Sequence, residues 1–199
     1  MYRHAFKQII DTILALGGII VFLIPMVIIA ICIKIDSKGP VLFKQKRLGQ
    51  NKKTFTVLKF RTMCDHAFEK GGIVKSKKDP RITKVGAILR RTSLDEIPQF
   101  FNIFVGQMAI IGPRPILDFE FEPFAENGTY NRRYEVKPGM FCTVDLDYRA
   151  DADRDLQFQM DADYVENISF KTDFKVFFGI LKTVISGNNV YVEDGSNEQ

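Results

Sequence analysis

Two histidines, His4 and His66, are all that this 199-residue chain contains, and it has no Gly-x-x-x-x-Gly-Lys phosphate loop. The first scarcity removes the usual proton shuttle near neutral pH. The second removes a common backbone cradle for nucleotide phosphates. Cys32, Cys64 and Cys142 are odd in number and far apart, which excludes a disulfide framework and paired zinc-ligand spacing and fits structural thiols in a reducing compartment. There is no internal repeat, no low-complexity tract and no nucleic-acid recognition motif. Carboxylates and arginines remain to carry any chemistry, and that set suits an anionic, phosphate-bearing substrate.

The length predicts one compact domain with a real core. Its net charge of +4 hides an asymmetry: residues 1–61 carry eleven Lys/Arg against Asp11 and Asp36, whereas residues 140–199 carry five against twelve acids. Inside the basic end, Ile13 to Ile33 is a 21-residue run without a charge. As a helix it reaches about 30 Å, the thickness of a bilayer core. Apolarity on every face favours lipid over a buried core helix. No small-x-small cleavage site follows, which argues against a signal peptide. Arg3 and Lys7 precede the run and Lys34, Lys38, Lys44, Lys46 and Arg47 follow it, so flanking charge does not orient a simple span. Pro25 removes a helical hydrogen bond at the centre and predicts a kink. A re-entrant helix that enters and leaves on the cytoplasmic side satisfies both features.

Val41–Arg47 and Thr54–Phe60 are β-prone runs around a Gly/Asn turn and predict a hairpin. Residues 64–81 read as a polar loop, and Thr83–Arg91 has helical spacing. Ile168–Ser186 is amphipathic, with Phe170, Phe174, Phe177, Leu181 and Val184 on one stripe and lysines on another. Core packing and a helix lying in the membrane interface both fit it. The expected fold class is α+β: mostly helical, with a small antiparallel β-hairpin and an N-terminal kinked membrane helix. The expected division is a membrane-inserted helix over residues 1–36, a cytoplasmic catalytic domain with interfacial helices over 37–190, and a disordered tail over 191–199. An acidic stretch from Asp145 to Asp163 invites a calcium-loop reading from Asp151. The template asks for Gly and Glu where Leu156 and Ala162 stand, so a solvated acidic face held off the bilayer is favoured.

Adjacent carboxylates, Asp95 and Glu96, follow Arg90-Arg91 and precede the stiff Gly112-Pro-Arg-Pro115 turn. Ser93-Leu-Asp-Glu96 matches a helix capping box, in which Ser93 caps and Glu96 bonds back. The catalytic alternative is a carboxylate that attacks phosphorus. It requires a divalent metal and cationic side chains to offset the repulsion between anions. Arg90, Arg91 and Arg114 are placed to supply that field, and their planar forks suit phosphate oxygens.

Four ordered motifs carry a resemblance: Lys59-Phe-Arg-Thr-Met63, Ser93-Leu-Asp-Glu-Ile-Pro-Gln99 with Asn102, Gly112-Pro-Arg-Pro115 and Lys137-Pro-Gly139. Over nearly its whole length the chain resembles the small members of the bacterial sugar transferase family, the monotopic phosphoglycosyl transferases. The resemblance implies transfer of a phosphosugar from a UDP-sugar to polyprenol (undecaprenyl) phosphate, with release of UMP. It implies a ping-pong route in which Asp95 is the nucleophile, Glu96 the second acid and Mg²⁺ the cofactor, held near Asp95. Lys59, Arg61, Arg90, Arg114 and Arg149 are implied as phosphate- or substrate-binding residues, and Pro25 as the break in the membrane helix. The implied setting is the cytoplasmic face of a bacterial inner membrane, with membrane lipid, and downstream glycosyltransferases as candidate partners; nucleic acid is not implied. A family member without activity, serving as a scaffold, and a basic membrane adaptor are the alternatives. Departures fall at Ile24, where many members have serine, at Val105-Gly-Gln-Met-Ala109, and at Met140-Phe-Cys142 in place of Ile-Thr-Gly. The last stretch is expected to bear on sugar choice, which the sequence leaves open.

Overall fold

The computed structural model describes residues 2–67, 79–147 and 153–186. Its architecture is mostly helical, with two small two-stranded sheets. A 30-residue helix, α1 (Lys7–Asp36), leads into strands β1 (Leu42–Leu48) and β2 (Thr54–Phe60), which pair antiparallel from Leu42 opposite Phe60 to Leu48 opposite Thr54. The expected hairpin is present, and Asn51 and Lys52 take the positive φ that its turn requires (55° and 58°). Helix α2 (Lys84–Thr92) starts where the periodicity predicts it, with the Thr83 side chain accepting from the Gly86 amide. Then come a single turn at Leu94–Glu96 and helix α3 (Gln99–Phe104).

A second sheet is absent from the sequence reading. Strand β3 (Ala109–Ile111) pairs parallel with β4 (Gly139–Phe141). Three residues are too few to show a period. The pairing depends on backbone proximity, because a Cβ on Gly139 would lie 2.1 Å from the Gly112 nitrogen. Helices α4 (Arg154–Glu166) and α5 (Phe170–Ser186) complete the chain.

One stripe of α1 (Ala15, Gly18, Phe22, Met26, Ile29 and Ile33, spaced three or four apart) packs on the domain along most of the helix. Phe22 stacks on Phe100 of α3 at 6.1 Å, and a Cβ on Gly18 would meet the same ring at 2.9 Å. The rest of α1 exposes a long set of apolar side chains, with Ile20, Val21, Ile24 and Ile35 among the most open. Pro25 lies inside α1 without ending it.

Both ends of the helix are tied down. Lys7 does not point outward as a basic flank but is buried, 2.7 Å from Asp173 of α5, which also accepts from the hydroxyls of Tyr2 and Tyr164 at 2.7 Å. At the other end, Arg61 donates to the carbonyls of Ser37 (2.9 Å) and Lys38, and the Asp36 carboxylate accepts from the Val85 amide.

Helix α5 splits the stripe read from its sequence. Phe170, Phe174 and Leu181 are exposed together with Phe178, while Val176 and Ile180 are buried and Phe177 turns in against Phe141. The stripe is therefore divided: Phe170, Phe174 and Leu181 face outward, and Phe177 joins Val176 and Ile180 in core packing. The acidic stretch is not a uniformly solvated face: Asp161 is fully buried, Asp153 caps α4, and Asp145 pairs with Arg114. Asp151, most of the 64–81 loop and the 191–199 tail lie outside the described residues.

Asn102 joins α3 to the hairpin. Its side chain accepts from the Leu58 amide at 3.0 Å and donates to the Thr56 carbonyl and Gln107 side chain at 2.7 Å. Asn102→Ala leaves these buried groups unpaired and should cost about 2–3 kcal/mol, lowering the unfolding midpoint by about 5–10 °C. Differential scanning fluorimetry in detergent checks this; an unchanged midpoint contradicts it.

Candidate active site

The capping box is not formed. Ser93 sits in the left-handed region (φ 56°) as the C-cap of α2, with its amide returning to Leu89 and Arg90 carbonyls and no side-chain cap bond into the following turn. That sharp reversal presents Asp95 and Glu96 on one isolated turn, and the Glu96 side chain goes elsewhere. It pairs with Lys59 of β2 at 2.7 Å and accepts from Gln99 at 3.1 Å. Among the described residues, no side chain donates a hydrogen bond to the Asp95 carboxylate.

The two carboxyls are driven apart in acidity. Burial and the neighbouring Glu96 charge push Asp95 above the ordinary aspartate range, against the pull of Lys59 and Arg90. Burial also opposes ionisation of Glu96, but Lys59 and Arg114, with the Lys59 and Gln99 hydrogen bonds, hold it below its usual value. The result is an ionised Glu96 bound in place and an Asp95 carboxyl free to meet a ligand.

Beside this turn a small pocket opens to solvent. Its floor is the alternate face of the hairpin: Phe43, Gln45 and Arg47 from β1, and Val57 and Lys59 from β2. Glu96, Gln99, Arg114, Pro115, Met140 and Cys142 complete its lining; Asp95, next to Glu96 in sequence, does not line it. Arg114 donates to Asp145 at 2.8 Å, and that carboxylate is the main cause of its raised pKa. Its side chain remains 45% exposed. Cys142 is fully buried and its thiol is pushed well up by burial, which makes it inert.

The expected residues divide as follows. Lys59, Glu96 and Arg114 meet at the pocket. Arg90 reaches Thr62 with its Nε at 2.8 Å and bears on Asp95 electrostatically. Arg61 does not join them, because its guanidinium holds the end of α1. Arg149 lies outside the described residues. Arg47 was missed: it bonds Gln45, Glu120 and the Pro115 carbonyl beneath the pocket. The period-2 pattern of β1, which puts it on the face of Phe43 and Gln45, is the signal that could have found it.

A carboxylate pair set among cationic side chains, on a domain carrying one helix long and apolar enough to cross a membrane, is a candidate site for an anionic ligand. Comparison with known proteins gives the family. The bacterial sugar transferase model matches residues 2–187, and the chain belongs to that family. It is 36% identical over 186 residues to the UDP-N-acetylgalactosamine-undecaprenyl-phosphate N-acetylgalactosaminephosphotransferase of Aeromonas hydrophila, covering 91% of this chain and 44% of that protein. It is 36% identical over 195 residues to the exopolysaccharide production protein PSS of Rhizobium leguminosarum bv. phaseoli, covering 90% of this chain and 94% of that protein. It is 37% identical over 181 residues to the UDP-glucose:undecaprenyl-phosphate glucose-1-phosphate transferase of Klebsiella pneumoniae, covering 87% and 38%. The chain thus spans less than half of the first and third of these relatives, and nearly all of the second.

If Lys59 and Arg114 form the anion site, Lys59→Met and Arg114→Ala should each weaken binding of inorganic pyrophosphate about tenfold or more, the worth of one charge-assisted hydrogen bond. Isothermal titration calorimetry checks it, and unchanged affinity in both variants would place the anion elsewhere.

Proposed function

We propose that this chain transfers a phosphosugar from a UDP-sugar to undecaprenyl phosphate, at the cytoplasmic face of a bacterial inner membrane. The observation that carries the reading is Asp95: a carboxylate without a side-chain donor, next to an ionised Glu96 that lines a pocket with Lys59 and Arg114, and under the electrostatic pull of Lys59 and Arg90. The relatives' names supply the substrate class.

In this reading Asp95 attacks the sugar-bearing β-phosphorus of the donor. The bond from that phosphorus to the oxygen bridging to the α-phosphate breaks, UMP leaves with that oxygen, and the phosphosugar remains as an acyl phosphate. An oxygen of the lipid phosphate then attacks the same phosphorus and displaces the Asp95 carboxylate, giving a polyprenyl diphosphate sugar. Lys59 and Arg90 oppose the repulsion between nucleophile and phosphate, and Arg114 exchanges Asp145 for a phosphate oxygen. Glu96 holds Lys59 and Gln99 at the pocket wall. The product is a substrate for glycosyltransferases that extend the glycan.

Mg²⁺ fits the donor set. No group of three or more metal-ligating side chains occurs among the described residues, and Mg²⁺ is commonly held by one or two carboxylates together with substrate phosphates. Asp95 would hold it, and bound there it would neutralise charge on the donor diphosphate.

The membrane path in this reading is supported by the two anchors. Lys7 is bound to Asp173 and the carbonyls of Ser37 and Lys38 to Arg61, so both ends of α1 belong to one domain. That supports a helix that enters and leaves on one side, as Pro25 also does. The exposed Phe face of α5 supports an interfacial position for that helix.

The test is UMP release from a panel of UDP-sugars with detergent-solubilised protein, Mg²⁺ and undecaprenyl phosphate. One donor should support turnover, and Asp95→Asn should lower it by about 10³-fold or more. Equal release by the variant would remove Asp95 from the chemistry.

A further inference from the structure

Arg114 is held by its backbone as well as its charge. Arg133, 3% exposed, donates from Nη2 to the Arg114 carbonyl, and Asp161, 0% exposed, accepts from the Arg114 amide at 3.4 Å. The two side chains are themselves 3.0 Å apart as an ion pair. The Arg133 guanidinium lies 4.5 Å over the Phe158 ring and 5.4 Å over Tyr134. Neighbouring parts of the turn are fixed differently: Gly112 donates to the Phe141 carbonyl, Pro113 accepts from the Gly139 amide, and Ile116 accepts from the Leu48 amide, all backbone to backbone. At Arg114 the ladder is interrupted, and side chains from the 132–135 turn and α4 take its place.

A buried ion pair is a weak device for stability, since well-packed apolar residues of similar size often replace one without loss. This pair already lies in an aromatic cluster of Phe121, Tyr134 and Phe158. What apolar residues cannot do is accept from one face of the Arg114 peptide and donate to the other. We propose that Arg133 and Asp161 are positioning residues for Arg114, pinning its peptide while its side chain exchanges Asp145 for substrate phosphate. The proposal rests on the phosphate-transfer reading above. Misplacing a charged group by an ångström is enough to lose much of its effect on a reacting phosphate.

The experiment uses the full chain in nanodiscs, with three readouts: unfolding midpoint, UMP release and affinity for UDP. The double variant Arg133→Met/Asp161→Leu should keep its midpoint within about 5 °C. Its kcat/KM and its UDP affinity should each fall about tenfold or more. In an Arg114→Ala background the same pair of changes should alter UDP affinity less than about twofold, because coupled sites are not additive. Asp161→Asn, which keeps an oxygen for the Arg114 amide, should retain activity within about threefold. It also keeps the test open if the double variant does not fold, when Asp161→Asn is compared with Asp161→Leu alone. The proposal is overturned if the double variant keeps full UDP affinity, if the loss is as large without Arg114, or if Asp161→Asn is no better than Asp161→Leu. Wild-type protein that releases no UMP from any donor would count against the function and leave the UDP arm to decide the pair.

Discussion

Two carboxylates adjacent in sequence and half-buried cannot both ionise freely, and the arrangement around Asp95 and Glu96 follows from that constraint. Lys59 takes one of them. Its ammonium, brought by β2 to 2.7 Å from Glu96, stabilises the glutamate charge and leaves the aspartate as the weaker, unoccupied acid. The hairpin register, Asn102 fastening α3 to β2, and the left-handed Ser93 that ends α2 all serve to bring that lysine and that turn together. Shifting β2 by one residue would turn Lys59 away from Glu96, because side chains alternate across a strand.

The membrane helix is subject to a similar constraint. An apolar helix of this length would partition into lipid regardless of the domain. Here one stripe of it packs on α3 and the hairpin region, and each end is fixed by a buried charge, Lys7 on Asp173 and Arg61 on the carbonyls that follow α1. The pocket is therefore held in a fixed position relative to the exposed apolar residues of α1. A soluble nucleotide sugar and a lipid phosphate could both reach a site placed beside such a helix.

Much of this was legible in the sequence where a period or a turn residue spoke clearly. The uncharged run from Ile13 to Ile33, the two β-prone runs around their Gly/Asn turn and the helical spacing from Thr83 each specify local structure, and each forms the element expected. The Ser93–Glu96 pattern fitted two readings, because a capping box and an acidic dyad share the same spelling, and the capping box is not formed because Lys59 and Gln99 hold Glu96. Arg61 misled: its charge suggested phosphate, yet the bare carbonyls after α1 claim it. The pairing of β3 with β4, the burial of Asp161 beneath Arg114 and the position of Arg47 depend on contacts between segments distant in sequence. No local pattern carries them, although the alternation of β1 pointed to Arg47.

The central claim is that Asp95 itself takes the phosphosugar. It is tested most directly by incubating the protein with its UDP-sugar donor and Mg²⁺ but no lipid phosphate, then measuring the mass of the protein and of its Asp95 peptide. The account predicts one equivalent of UMP released and a phosphosugar added to that peptide, discharged when undecaprenyl phosphate is supplied. UMP release that waits for the lipid, with no adduct at any time, would mean direct transfer between the substrates and would contradict it.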